Sequence, residues 1–240
     1  MSLVMRPLVL LFFVLCDHNK KRRTFIMMEL VFILDRSGSM GGLEKDTIGG
    51  FNSMLAKQRK EQGEALVSTV IFDHETEVIH DRVAIADVPD LTDNEYYVRG
   101  CTALLDAVGK SIHHIRNIHK YARKEDVPAR TLFIITTDGM ENASSHYSYE
   151  QVRQMIEQQK EKSGWEFIFL GANIDAAAEA ERFGIGREMA ANYHCDEDGT
   201  ALNYEVISDV ITAVRTCEAP ISAGWKERID EDFKNRKKER

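Results

Sequence analysis

Residues 30–40 read LVFILDRSGSM, and the fold turns on how this stretch is read. Leu30 to Leu34 form an unbroken apolar run that stops abruptly at Asp35. A strand with one wet face alternates apolar and polar side chains, so a continuous run calls for a strand covered on both faces, as in a mainly parallel sheet. Beyond it, Asp35, Ser37 and Ser39 take alternate positions of a short loop that Gly38 allows to bend tightly. Alternation in such a loop turns the three side-chain oxygens the same way. On their own, these residues would equally suit a helix start with turn-forming polar neighbours.

Similar β-rich runs occur at 66–72, 78–85, 132–136, 166–170 and, more briefly, 189–193. Between them lie stretches with helical spacing. Ile48, Phe51 and Leu55 share a face of 44–60, and Leu105, Val108, Ile112 and Ile115 share one of 103–121. Val152, Met155 and Ile156 do so in 149–162, as do Ile207, Val210, Ile211 and Val214 in 201–215. This succession predicts an α/β fold: a doubly wound, mostly parallel six-stranded sheet, Rossmann-like in layout, with helices on both faces. Only residues 73–76 separate the second run from the third, too few for a crossover helix, so that pair should be an antiparallel hairpin at one edge. Gly49 and Gly50 weaken the first helix by about 1 kcal/mol each relative to alanine, which points to a close packing contact there.

Open parallel sheets bind ligands at the carboxyl ends of their strands. Two further loops place oxygens at that end: Gly100, Cys101 and Thr102 before the second helix, and Thr136, Thr137, Asp138 and Gly139 after the fourth strand. Asp35, Ser37, Ser39, Thr102 and Asp138 together offer carboxylates and hydroxyls without sulfur or imidazole, the ligand set of a hard cation. Magnesium fits best, with manganese or calcium as alternatives.

Asp-x-Ser-x-Ser at the end of a first strand, then Thr102 in RGCTALLDAVG and Asp138 in TTDGMEN, resembles the metal-ion-dependent adhesion site of the von Willebrand factor type A family. The resemblance runs from Glu29 to about Arg215. It implies that Ser37, Ser39 and either Thr102 or Asp138 bind the metal directly while the others act through water. An acidic side chain from a partner then takes the open position, since hydroxyl ligands leave the ion electrophilic. The expected function is a metal-dependent adaptor that grips an Asp or Glu of a partner protein, in a stand-alone, cytoplasmic, bacterial-type member of the family.

A magnesium-dependent hydrolase or phosphotransferase is the competing class. The chain lacks a GxxxxGK[ST] phosphate loop, a second carboxylate at Ser37 and a GxSxG elbow, so the reading is of a protein that is not an enzyme. A structural subunit of an ATPase-linked complex, whose metal merely staples loops, is the other alternative. The net charge of -8 argues against nucleic acid and anionic membrane surfaces as partners.

Cys16, Cys101, Cys195 and Cys217 lie far apart with no CxxC pair, which reads as reduced thiols rather than a disulfide framework, a zinc site or a redox motif. His113, His114 and His119 read as a solvated helix surface, Trp165, Phe167 and Trp225 as packing, and Glu141 and Asn142 as loop residues. Residues 7–16, PLVLLFFVLC, are too short to span a membrane, and the basic cluster at 20–23 is on the wrong side for a signal peptide. Residues 1–28 are therefore read as an N-terminal extension, from a start assigned upstream of Met27 and Met28 or serving as a weak hydrophobic anchor. The domain is expected over 29–218, and 219–240 as a charged tail, solvated and partly frayed.

Overall fold

A computed structural model describes residues 27–216 and 220–238, so the apolar run at 7–16, Cys16 and Cys217 fall outside the described residues. Six strands, β1 (Met28–Asp35), β2 (Ala65–Phe72), β3 (Thr76–Ala84), β4 (Arg130–Thr137), β5 (Glu166–Ala172) and β6 (Ala190–Tyr193), form one sheet in the order β3-β2-β1-β4-β5-β6. All neighbours are parallel except β2 and β3, which pair antiparallel at the edge. The helices are α1 (Glu44–Gln58), α2 (Leu104–Tyr121), α3 (Tyr149–Ser163), α4 (Ala176–Arg182), α5 (Glu197–Thr216) and α6 (Glu227–Lys238).

The apolar run of β1 divides by alternation between two cores, as a strand without a wet face must. Leu30, Phe32 and Leu34 join Phe51, Met54 and Leu55 of α1 and Ile207, Val210 and Ile211 of α5. Val31 and Ile33 point the other way, to Leu105, Val108 and Ile112 of α2 and Val152 and Ile156 of α3. The hairpin expected between the second and third strands is present, and its turn is tighter than 73–76 because β3 already starts at Thr76.

Helix α4 is absent from the sequence reading: AAAEAER is too short and too uniform to display an apolar stripe. Gly50 does mark a close contact, since a Cβ there would lie 2.3 Å from the Tyr204 ring of α5, whereas Gly49 faces open space.

The C-terminal segment differs from expectation. It is helical, yet docked rather than frayed: Trp225 and Ile229 are 8% and 1% exposed and belong to the α1/α5 core. The Trp225 indole donates to the Glu188 carbonyl at 2.8 Å, and Arg236 holds Asp196 at 2.7 Å. Trp225, in the turn just before α6, packs as its sequence suggested, and Ile229 in the first turn of α6 is buried in the same core, so the apolar area buried by the two outweighs the charged surroundings.

Chain direction across the sheet reverses at β1. From there the chain moves outward to β2 and β3, then returns to β4 on the opposite side of β1. The crevice between the carboxyl ends of β1 and β4 is therefore the switch point at which open α/β sheets bind ligands.

Candidate metal centre

Asp35 is the last residue of β1 and Thr137 the last of β4, so sheet pairing itself brings the first and fourth strand ends together. Asp35 is 1% exposed. Its Oδ1 accepts the Ser37 backbone N–H at 2.7 Å, curling the loop, and its Oδ2 accepts the Thr137 hydroxyl at 2.6 Å. The Ser37 and Ser39 hydroxyls lie 3.1 Å apart, and Ser39 Oγ donates to Asp138 Oδ1 at 2.5 Å. A chain of polar contacts thus links Thr137, Asp35, Ser37, Ser39 and Asp138.

Thr102 reaches the same place by another route. Its backbone N–H donates to the Asn142 side chain at 3.0 Å, and its carbonyl accepts the Asn142 and Ala143 N–H groups at 3.0 and 3.2 Å. Gly139 lies between the two sets: a Cβ there would stand 3.3 Å from Ser39 Oγ and 3.6 Å from Thr102 Oγ1. A side chain at this position would crowd the space that the hydroxyls face.

Two observations fit these oxygens to a divalent ion. The 3.1 Å between the serine hydroxyls is close to the separation of about 3 Å between adjacent ligands of an octahedral ion with bonds of about 2.1 Å. Second, Asp35 and Asp138 are both buried, and among the described residues neither is paired with a lysine, arginine or histidine. Burial pushes Asp35 up to about 6 despite hydrogen bonds from Thr137 and Ser37, and the negative charge of Asp138 adds to the rise. Asp138 is raised as well, by burial, against hydrogen bonds from Ser39 and Cys195. A cation is the counter-charge this arrangement lacks. A groove of about 1010 Å³ opens beside Ser39, bordered by Leu43, Asp46, Met140, Asn173 and Cys195.

Several contributors escaped the sequence reading. Asn142 and Glu141 are more than loop residues: Asn142 fixes Thr102, and Glu141 accepts the N–H groups of Leu105, Ala143 and Ser144. Cys195 Sγ lies 3.6 Å from Asp138 Oδ2, and burial, followed by that carboxylate, pushes its thiol up to about 12. The only sequence signal was that Cys195 follows the last strand of the sheet, whose carboxyl end faces the same side. Among the histidines, His113 and His114 are exposed as expected, while His119 is only 11% exposed along its side chain and sits on Glu29 at the opposite end of β1.

No protein-family model matches the sequence, and no curated protein matches it. Solved structures do. The vWF domain of the type V pili tip protein Mfa5 from Porphyromonas gingivalis is 11% identical with a TM-score of 0.55, covering 82% of this chain and 99% of that one. A von Willebrand factor type A protein from Catenulispora acidiphila is 15% identical with a TM-score of 0.53, over 78% and 43% of the respective chains. Proximal thread matrix protein 1 from the mussel byssus, in a structure described as having a zinc-occupied MIDAS motif, is 15% identical with a TM-score of 0.52, over 78% and 46%. The chain thus spans less than half of the last two proteins. At such identities the likeness is one of architecture: this chain has the von Willebrand factor type A fold.

Proposed function

We propose that the chain is a divalent-metal-dependent protein-binding domain in which Asp35, Ser37, Ser39, Thr102 and Asp138 hold a magnesium ion. The observation that carries this reading is the convergence of the five oxygen-bearing side chains at the switch point, two of them buried carboxylates without a cationic partner among the described residues. Asp35 shapes the loop, the two serines and Asp138 face one another, and Thr102 closes the ring across Gly139. When bound, the ion supplies positive charge that hydroxyl ligands do not neutralise, so a carboxylate of a partner protein is the ligand it attracts.

Supporting the reading, a mussel protein of the same fold is described with a metal in this kind of motif, and others of that fold are pilus proteins. We place the domain in the cytoplasm, as a binding module rather than an enzyme, with α6 included in the folded unit. Among the described residues no helix is long and apolar enough to cross a membrane.

Titration with Mn2+ followed by electron paramagnetic resonance tests the site directly. Wild type should bind one ion, and Asp35→Ala or Asp138→Ala should abolish binding while leaving the far-ultraviolet circular dichroism unchanged. Retention of a lysate protein in magnesium but not in EDTA, lost in Asp35→Ala, tests the grip. Wild type that binds no ion at millimolar Mn2+ would end this reading.

A further inference from the structure

We infer that Asp73, acting through Arg36 and Arg99, is the positioning centre of the metal site, locking the Ser37–Ser39 loop against the loop that carries Thr102. The inference rests on the metal-binding reading above and adds residues to it.

Arg36 lies inside the DRSGSM stretch and is 0% exposed, which is unusual for a guanidinium and requires acceptors on every side. Its Nε donates to Asp73 Oδ2 at 2.8 Å, its Nη2 to Glu77 Oε2 at 3.0 Å and its Nη1 to the Glu95 carbonyl at 3.1 Å. Arg99 Nε donates to the same Asp73 Oδ2 at 2.7 Å, and its Nη2 donates to Glu75 Oε2 at 2.6 Å. Asp73 is itself 0% exposed, and its Oδ1 takes the Glu75 N–H at 2.8 Å. One buried carboxylate oxygen therefore joins two arginines from different loops.

Each arginine lies within three residues of a proposed ligand in the chain. Arg36 directly precedes Ser37, and Arg99 stands three residues before Thr102. Backbone bonds follow the same path: Arg99 N–H to the Arg36 carbonyl at 2.9 Å, Gly38 N–H to the Gly100 carbonyl at 3.1 Å, and Ala103 N–H to the Asp73 carbonyl at 2.8 Å. The Tyr97 ring contacts both guanidiniums, with its centroid 5.0 Å from that of Arg36 and 5.7 Å from that of Arg99. Asp73, His74 and Glu75 also bring potential metal-binding atoms within 4.8 Å of one another. With both guanidiniums on Asp73, that cluster is already neutralised and works as a clasp between loops.

Supporting groups behind metal ligands typically change affinity about 10- to 100-fold when removed. The full chain is titrated with Mn2+ at a temperature at which each variant is folded by circular dichroism. Asp73→Asn should weaken binding about 10-fold or more, and adding Thr102→Val to it should weaken binding little further, because Thr102 is then already misplaced. Glu29→Gln, which cuts a buried ion pair at the far end of β1, should lower the melting temperature and leave Mn2+ affinity unchanged.

Wild-type affinity in Asp73→Asn overturns the inference, as does equal weakening by Glu29→Gln or full additivity with Thr102→Val. Should Asp73→Asn fail to fold, Arg99→Gln cuts only the partly exposed arm of the clasp, and wild-type affinity in that variant overturns the inference equally. Absence of Mn2+ binding by wild type would instead refute the metal site itself.

Discussion

Strand β1 buries a carboxylate near each end, and the surroundings of the two differ in kind. Glu29, at 0% exposure, meets Arg82 Nε at 2.6 Å and the His119 ring at 2.5 Å, with Trp165 packed edge-on against that ring. Asp35, at 1% exposure, meets an N–H group, a hydroxyl and the negative field of Asp138. The sheet thus closes one end with an ion pair of its own and leaves the other short of positive charge. A buried charge is tolerable only when paired, and the end left unpaired among the described residues is the one at which the proposed metal would supply the missing charge.

Breaking the closed end should have the largest effect on stability. Glu29→Ala strands the Arg82 guanidinium, and urea unfolding should show a loss of about 3 kcal/mol, with Mn2+ affinity retained.

At the open end the same kind of change should act in the opposite sense. Asp35→Asn removes an unneutralised buried charge, and the Thr137 hydroxyl can turn to accept from the new amide. Metal-free stability should therefore hold or rise by about 1 kcal/mol, while the stabilisation of wild type by magnesium in thermal melts disappears. A loss comparable to that of Glu29→Ala would erase the contrast between the two ends.

Asp106, in the first turn of α2, sharpens the comparison through pH. Burial raises its carboxyl, but the His146 ring and the N–H groups of Ser145, His146 and Tyr147 outweigh that and hold it below the ordinary 3.8. A depressed group contributes stability that is fully present above its unfolded value and is lost as pH falls through the folded one. Asp106→Asn should cost about 1 kcal/mol at neutral pH and flatten the acid limb of the unfolding curve below about pH 4. An acid limb as steep as that of wild type would show that Asp106 does not supply it.

The smallest effect should come from Tyr204, 8% exposed, whose hydroxyl is buried without a hydrogen-bond partner among the described residues. Tyr204→Phe should change stability by less than about 0.5 kcal/mol, since the ring contacts with Phe51 and Gly50 remain. A larger loss in chemical denaturation would mean that the hydroxyl has a partner.

Much of this molecule is legible from local pattern. The unbroken run at 30–34 signals a strand covered on both faces, and the short spacing after Phe72 signals a hairpin. Reading helices from apolar spacing works for α1, α2, α3 and α5, and fails for α4, whose seven residues cannot complete two turns. It reads Trp225 as packing but misses the docking of α6 behind it, because within the helix Ile229 carries that signal among many charges.

The candidate site divides in the same way. Asp35, Ser37 and Ser39 are close in sequence and announce themselves by spacing, and Thr102 and Asp138 follow from their places at the sheet's carboxyl end. Arg36, Asp73, Arg99 and Asn142 carry no such mark, and Cys195 only its place after the last strand.

What the sequence by itself determined is the layered α/β plan and the oxygen-rich loops, because periodicity and short-range spacing act within a few residues of chain. What only the tertiary structure decided is which charges meet. Glu29 finds Arg82 and His119, Asp73 gathers two arginines 63 residues of chain apart, from 36 to 99, and Asp35 is left facing hydroxyls and another carboxylate. Pairing of buried charges depends on distances fixed by strand order and helix placement, and those distances exist only once the sheet has formed.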